Sequence, residues 1–155
     1  MNAFFPHYHP TRRLALAALV AGAATFGTAL QAASLKAPEA PADYAAERAS
    51  SRGTFVVAWR SDPMPVPVGQ LHNWTLHVAT ADGAPVTDAA IQLDGDMPAH
   101  GHGLPTRPRV TRHLGNGDYL VEGVKFQMGG WWVMDFEIAA GGRTDTVRFN
   151  LQLKR

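Results

Sequence analysis

The 155-residue chain contains no cysteine. Disulfide bonds and thiolate metal ligands are therefore excluded, and any metal ion would have to bind through histidine, methionine or carboxylate groups. The fold must also be stable without a covalent cross-link, which a domain of about 100 ordered residues can achieve.

The chain also lacks a large excess of charge of either sign. It has 14 Lys and Arg residues against 13 Asp and Glu residues, a formal net charge of +1. Residues 1–32 contain two arginines and no acid, so their removal would leave 12 basic and 13 acidic residues and a net charge of −1. No basic stripe or cluster indicates a surface for nucleic acid or for an anionic membrane.

Motifs of catalysis are missing as well. Serine is scarce, and no Gly-x-Ser-x-Gly motif or serine–histidine context indicates a nucleophile with its base. Asp94 and Asp96 lie near His100, but carboxylates beside a histidine are common in turns. A zinc site with an open position would need one more ligand, for which Asp96 is the candidate. We therefore expect a protein that is not an enzyme, with a small hydrolase as an alternative that would require a polar pocket with converging acids.

The one long apolar run lies near the N-terminus. A polar segment ending in Arg12 and Arg13 is followed by the uncharged run Leu14–Leu30 and by small residues suited to cleavage after Ala32. This order predicts a signal peptide over residues 1–32, and the arginine pair partly matches a twin-arginine signal. The alternative is an uncleaved anchor in the inner membrane, although Ala, Gly and Thr are weakly lipophilic. We expect a periplasmic or otherwise exported domain.

The remaining chain divides into a linker and a domain. Residues 33–52 are rich in Ala, Pro and Glu without a sustained apolar period, which predicts a linker with at most a short helix at Asp43–Ser51. From Gly53 to the C-terminus, short β-type runs alternate with turn signals. The domain is therefore predicted over residues 53–155.

The β-type runs show the period-2 alternation of half-buried strands. Trp74, Leu76 and Val78 share one face of a predicted strand, and a later run places four apolar residues on one face: Trp132, Met134, Phe136 and Ile138. About seven such strands follow at turn spacings of roughly ten residues, with no amphipathic helix between them. This pattern predicts an all-β fold, an immunoglobulin-like antiparallel β-sandwich without the disulfide of antibody domains.

The segment Asp96–Pro105 contains residues that a structural role alone does not explain. His100 and His102 stand two apart, each followed by glycine, and Met97 precedes them. Residues i and i+2 of an extended backbone point to the same side, so both imidazoles can face one direction. Imidazole suits copper, zinc and nickel, and a thioether adds a preference for copper, above all Cu(I). The alternative is a polar turn whose imidazoles hydrogen-bond to backbone groups.

A second glycine-rich corner contains Met128. Loops of a sandwich cluster at its two ends. If both corners lie at the same end, the candidate ligands could converge on one ion: Met97, His100, His102 and Met128.

The other histidine, methionine and tryptophan side chains have simpler interpretations. Met134 shares the apolar face of its strand and is predicted to pack in the core. His72, His77 and His113 are predicted to make structural hydrogen bonds rather than to bind metal. Trp131 is predicted on the outward face beside the second corner, where it could fill the rim, shield a site or contact a partner protein.

Four segments carry a resemblance to a known family. They are residues 70–78, 81–86, 94–103 and 119–132, and the most specific pieces read Met97-Pro98-Ala99-His100-Gly101-His102-Gly103 and Phe126-Gln127-Met128-Gly129-Gly130-Trp131. Over residues 53–153 the chain resembles the YtkA-like/FixH-like family.

The resemblance implies an exported β-sandwich. FixH-like members are associated with copper delivery and with assembly of respiratory oxidases, so a membrane-bound oxidase or a copper-transport protein is the expected partner. The positions that match the motif are Met97, His100, His102 and Met128. FixH-like proteins usually retain an N-terminal membrane anchor, and the N-terminus of this chain departs from that pattern because it looks like a cleaved signal.

Two hypotheses of function follow. The first is an exported, non-catalytic copper-binding or copper-handling domain, in which histidines favour Cu(II) and methionines favour Cu(I). The second is a metal-free immunoglobulin-like interaction module of the cell envelope, in which the His-Gly segment is a shaped loop and the Trp131 corner docks on a partner. Proximity of the sulfurs to the imidazoles favours the first, and complete hydrogen bonding of both imidazoles by backbone groups favours the second.

Overall fold

A computed structural model describes residues 43–154, which form nine strands. These are β1 (Glu47–Ala49), β2 (Phe55–Asp62), β3 (His72–Thr80), β4 (Ala90–Met97), β5 (His102–Gly103), β6 (Arg109–Gly115), β7 (Asp118–Val124), β8 (Gly130–Ala140) and β9 (Arg143–Leu153). No helix of residues 43–154 is long and apolar enough to cross a membrane. The predicted signal peptide over residues 1–32 lies outside the described residues.

The strands form two antiparallel sheets. One has the order β1-β2-β3-β7-β6, and the other has the order β5-β4-β8-β9. The all-β, antiparallel sandwich predicted from the sequence is therefore confirmed. The strand number is nine rather than about seven, because the two shortest strands, of three and two residues, were not predicted.

β1 lies in the segment that the sequence predicts to be a linker. Its residues pair antiparallel with β2 in the register Glu47↔Ala58 to Ala49↔Val56. The linker prediction is wrong for these residues, and the short helix considered for Asp43–Ser51 is a strand instead. The sequence of β1 has no apolar alternation. The strand forms because it pairs with the edge of β2, and such a pairing leaves no local signal in the sequence.

The core lies between the sheets and follows the predicted alternation. Trp74, Leu76 and Val78 of β3 are fully buried, and the inward residues of β8 face them from the other sheet. Large aromatic and aliphatic side chains fill this space: Phe55, Val57, Phe126, Trp132, Met134, Phe136, Ile138 and Phe149. Burial of each such side chain contributes roughly 1.5–3 kcal/mol, which supplies the stability that a disulfide would otherwise add.

The antiparallel registers place two loops at the same end of the sandwich. β4 ends at Met97 while β8 begins at Gly130 in the same sheet, where Asp96 pairs with Val133. In the other sheet, the end of β7 pairs with the beginning of β3, so the connection 125–129 starts at this end too. The His-Gly segment and the Met128 corner therefore share one end.

Candidate functional site

A tight turn shapes the His-Gly segment. The backbone N–H groups of His100 and Gly101 both donate to the carbonyl oxygen of Met97, each over 2.9 Å. Gly101 has a φ of 65°, a left-handed conformation that glycine adopts without steric cost. The chain then reverses, and β5 pairs with the end of β4 so that His102 lies directly opposite Met97.

The turn brings the two imidazoles together at the surface. The ring centroids of His100 and His102 are 5.8 Å apart, with 37° between the ring planes. Two imidazoles bound to one ion through bonds of about 2.0 Å have centroids roughly 4.5–6.4 Å apart. His100 is exposed and His102 is half-buried. The separation of the rings is therefore compatible with shared binding of one ion.

The second corner contacts the first through Gln127. The Gln127 side-chain amide donates to Nδ1 of His102 over 3.0 Å and to the carbonyl oxygen of Gly103 over 3.2 Å. The ring of Trp132 lies 5.7 Å from that of His102, and its indole N–H donates to the carbonyl oxygen of Met128 over 3.1 Å. The two glycine-rich corners thus form one continuous surface at the end of the sandwich.

Both candidate methionines also take part in packing. Met97 is 1% exposed and belongs to the hydrophobic core. Its terminal methyl group lies against Gly130, two residues after Met128 in the chain. Met128 is half-buried and packs against the core cluster. Core packing therefore accounts for the positions of both thioethers.

The imidazoles are only partly satisfied by hydrogen bonds. Nδ1 of His102 faces the Gln127 amide and lies 3.4 Å from the carbonyl oxygen of Gly103. Within residues 43–154, no hydrogen bond reaches Nε2 of His102 or either ring nitrogen of His100. Among the described residues, His100 is therefore the imidazole without a hydrogen-bond partner, whereas His102 is bonded at Nδ1.

Carboxylates do not add to this site. In the part of the chain that the structure describes, no group of three or more His, Asp or Glu side chains could hold a metal ion. Asp96, the carboxylate considered for a zinc site, is exposed and lies opposite Gly103. The candidate ligands are therefore the imidazoles and thioethers named from the sequence.

The other histidines have partners elsewhere. His72 is buried on the inner face of β3, with Nδ1 at 3.1 Å from the carbonyl oxygen of Gln70, and burial lowers its pKa despite that bond. His77 pairs with Asp118 over 2.7 Å. His113 packs beside the ring of Tyr119 at 4.8 Å.

The two remaining candidates lie on opposite sides of β8. Met134 is fully buried in the core, as its strand pattern predicts. Trp131 is half-buried, and its indole N–H donates to the side-chain oxygen of Asn150 over 3.2 Å. This bond holds the ring on the outer face of the second sheet.

Two clefts lie away from the histidines. One, of about 720 Å³, covers the outer face of the second sheet beside Arg107 and Arg148. The other, of about 790 Å³, is lined by apolar residues that include Trp59 and Met64. Neither is lined by the four candidate ligands. His100 is exposed, so this part of the candidate site lies at the protein surface.

Gln127 and Trp132 are contributors that sequence reasoning did not assign to this site. Gln127 stands between Phe126, which is buried, and Met128, which is half-buried, so alternation predicts an outward side chain. The sequence has no signal for its partner, because the contact with His102 crosses 25 positions of the chain.

Comparisons with known proteins address the family of the chain. A family model described as YtkA-like matches residues 55–137, which is 83 of the 155 residues. No curated protein matches the chain. Among solved structures, a DUF4426 family protein from Pseudomonas aeruginosa PAO1 is similar, with 18% sequence identity, coverage of 65% of this chain and 91% of that chain, and a TM-score of 0.48. Because the family model covers more than half of the chain, the protein belongs to the YtkA-like family.

Proposed function

We propose that the protein is an exported, non-catalytic copper-binding or copper-handling domain whose ligands are Met97, His100, His102 and Met128. The observation that carries the proposal is the hydrogen bond between Gln127 and His102, since it joins the corner of Met128 to the histidine hairpin. Met97, which would add a thioether, lies directly opposite His102 in the backbone register of the β4–β5 pair.

The donor set supports copper over other metals. Magnesium and calcium prefer carboxylate and carbonyl oxygens, whereas imidazole suits copper and zinc, and thioether sulfur suits Cu(I). The described residues gather no three-ligand group of the histidine and carboxylate type that zinc enzymes use. A site of two imidazoles and two thioethers accepts copper in both oxidation states, which is a property useful to a protein that receives and passes on the ion.

The partner and the compartment belong to the same proposal. A periplasmic domain with loosely held copper would deliver it to a membrane-bound oxidase or exchange it with a copper-transport protein. The resemblance to FixH-like proteins supports a role auxiliary to the assembly of respiratory oxidases. Exposure of His100 at the rim supports direct transfer, because an incoming ligand can reach an ion there without unfolding the domain.

The test is a titration of the purified protein with Cu(II), and with Cu(I) under reductant, against a chelating competitor. Quenching of tryptophan fluorescence is a local readout, because the Trp132 ring lies 5.7 Å from that of His102. We expect saturable one-to-one binding that the double variant His100→Ala/His102→Ala loses. The matched control is His77→Ala/His113→Ala, which also removes two imidazoles but leaves the corner intact.

Two outcomes contradict the proposal. One is the absence of saturable binding in either oxidation state. The other is an equal loss of binding in both double variants, which would mean that histidines of the whole surface contribute nonspecifically.

The second candidate function is a metal-free interaction module. Its supporting observation is that the hairpin is already shaped without metal, by the turn at Met97 and by the bonds from Gln127 to His102 and Gly103. In that case Trp131 on the outer face would contact a partner protein. Loss of partner capture on Trp131→Ala, together with no copper binding, would favour this candidate.

A further inference from the structure

The orientation of the Gln127 amide determines which ring nitrogen of neutral His102 carries the proton. One atom of that amide lies 3.2 Å from the carbonyl oxygen of Gly103 and 3.0 Å from Nδ1 of His102. A carbonyl oxygen can only accept a hydrogen bond, so the group that faces Gly103 must be the amide nitrogen and not the amide oxygen. The two hydrogens of that nitrogen are sufficient for both bonds.

The second of these hydrogens points at Nδ1 of His102. A neutral imidazole has one N–H donor and one lone-pair acceptor. Because Nδ1 accepts from Gln127, the proton of the neutral ring must lie on Nε2. The metal-free protein therefore holds His102 in the Nε2–H tautomer.

This tautomer leaves neither nitrogen of His102 ready for a metal ion. Nδ1 is occupied by the Gln127 N–H group, and Nε2 carries the proton. For Nε2 to bind a metal, its proton must leave to solvent and a proton must be taken up at Nδ1, with no net change in the charge of the ring. The acceptor then nearest to Nδ1 is the carbonyl oxygen of Gly103, at 3.4 Å, and the Gln127 N–H group must withdraw.

We infer that Gln127 is a positioning residue that holds His102 in the Nε2–H tautomer and thereby competes with metal binding at this histidine. The competition with metal binding rests on the proposed copper function, whereas the assignment of the His102 tautomer does not. His100 has no such partner among the described residues, so it binds the ion first and His102 follows when Gln127 withdraws. The competition weakens the site in a controlled way, which favours release of the ion to a partner.

The first measurement is NMR of the full chain labelled with 15N at histidine, on the metal-free protein at alkaline pH. We expect His102 as the Nε2–H tautomer in the wild type. In Gln127→Glu the carboxylate can only accept, so we expect the proton to move to Nδ1. His113, remote from Gln127, is the internal control and should not change. A wild-type His102 with its proton on Nδ1, or the same tautomer in both proteins, would overturn the inference.

The second measurement compares the Cu(I) affinities of the wild type, Gln127→Glu and Gln127→Leu. Loss of the competing bond should tighten binding by up to about tenfold in Gln127→Leu, the equivalent of one hydrogen bond. Gln127→Glu should bind more tightly still, since its carboxylate accepts from Nδ1–H and frees Nε2. Gln70→Glu, at the same end of the sandwich, controls for the added negative charge.

The two measurements separate the inference from the function on which it partly rests. Equal copper affinities of the wild type, Gln127→Glu and Gln127→Leu would overturn the inference that Gln127 competes with metal binding at His102. The expected tautomers without copper binding by any protein would support the assignment of Gln127 and overturn the proposed copper function.

Discussion

The terminal methyl group of Met97 packs directly against the backbone of Gly130, so that any side chain at position 130 would overlap it. Gly130 also has a φ of 132°, a conformation that L-residues rarely adopt. This glycine is thus required for two independent reasons. Through this contact the last residue of β4, beside the histidine hairpin, is fixed against the first residue of β8, beside the corner of Met128.

Replacement of Gly130 by alanine should therefore cost more than the backbone strain alone. We expect Gly130→Ala to lose about 2–4 kcal/mol of unfolding free energy, from strain at positive φ and from displacement of Met97 in a close-packed core. Urea denaturation measures the loss. The control is Gly115→Ala, which has a φ of 101° but no atom within 4 Å of the added methyl group. An equal loss in both variants would show that the contact with Met97 adds nothing.

The fold could be predicted from the sequence where burial is periodic. The alternation of Trp74 with Leu76 and Val78 defined β3, and the run beginning at Trp132 defined β8, because one face of each strand lies on the core. β1 could not be predicted, since Ala49 is the one apolar residue among its three and its pairing depends on the edge of β2. β5 is a two-residue strand that exists only because the turn after Met97 folds it back.

The candidate site could be predicted only in its parts. The motif indicated His100, His102, Met97 and Met128 as residues of interest. It could not indicate that Met97 is covered by the core or that Gln127 bonds to His102, because both depend on how β4 and β8 are registered. Such long-range contacts leave no local pattern, so only the structure shows them.

Tyr119 supports the connection that leads into β4. Its hydroxyl donates to the carbonyl oxygen of Val86 over 2.8 Å and accepts from the backbone N–H of Ala89 over 2.9 Å. Tyr119→Phe leaves both backbone groups without this partner, so we expect a loss of about 1–3 kcal/mol in thermal or chemical denaturation. Tyr44→Phe is the control, because Tyr44 is 39% exposed. The prediction is wrong if the two variants unfold at the same denaturant concentration.

Asp145 should make the free energy of unfolding depend on pH in the acid range. Burial by itself would raise its pKa, but hydrogen bonds from the Ser50 hydroxyl, over 2.6 Å, and from the backbone N–H groups of Thr146 and Thr54 outweigh burial and hold the pKa far below the usual 3.8. A depressed pKa gives stability that is complete above pH 3.8 and lost as the pH falls further.

The variant Asp145→Asn tests this dependence. Its amide nitrogen cannot accept the hydrogen bonds that a carboxylate oxygen accepts, so it should be less stable than the wild type at neutral pH. The difference should shrink between about pH 4 and pH 2, where the wild-type carboxylate loses its advantage. The exposed Asp88→Asn is the control in urea denaturation across this range. A difference that is constant with pH would contradict the assignment.

Substitution of Met128 tests whether the thioethers contribute to copper binding at the proposed site. Thioether sulfur is a soft ligand that favours Cu(I) over Cu(II). We expect Met128→Ala to weaken Cu(I) binding about tenfold or more while changing Cu(II) binding much less, because the imidazoles remain. Met64→Ala is the matched control, since Met64 is 64% exposed and lines the apolar cleft away from the histidines. Competition with a Cu(I) chelator gives both affinities. An equal effect of the two substitutions, or equal weakening in both oxidation states, would remove Met128 from the ligand set and leave a site of imidazoles alone.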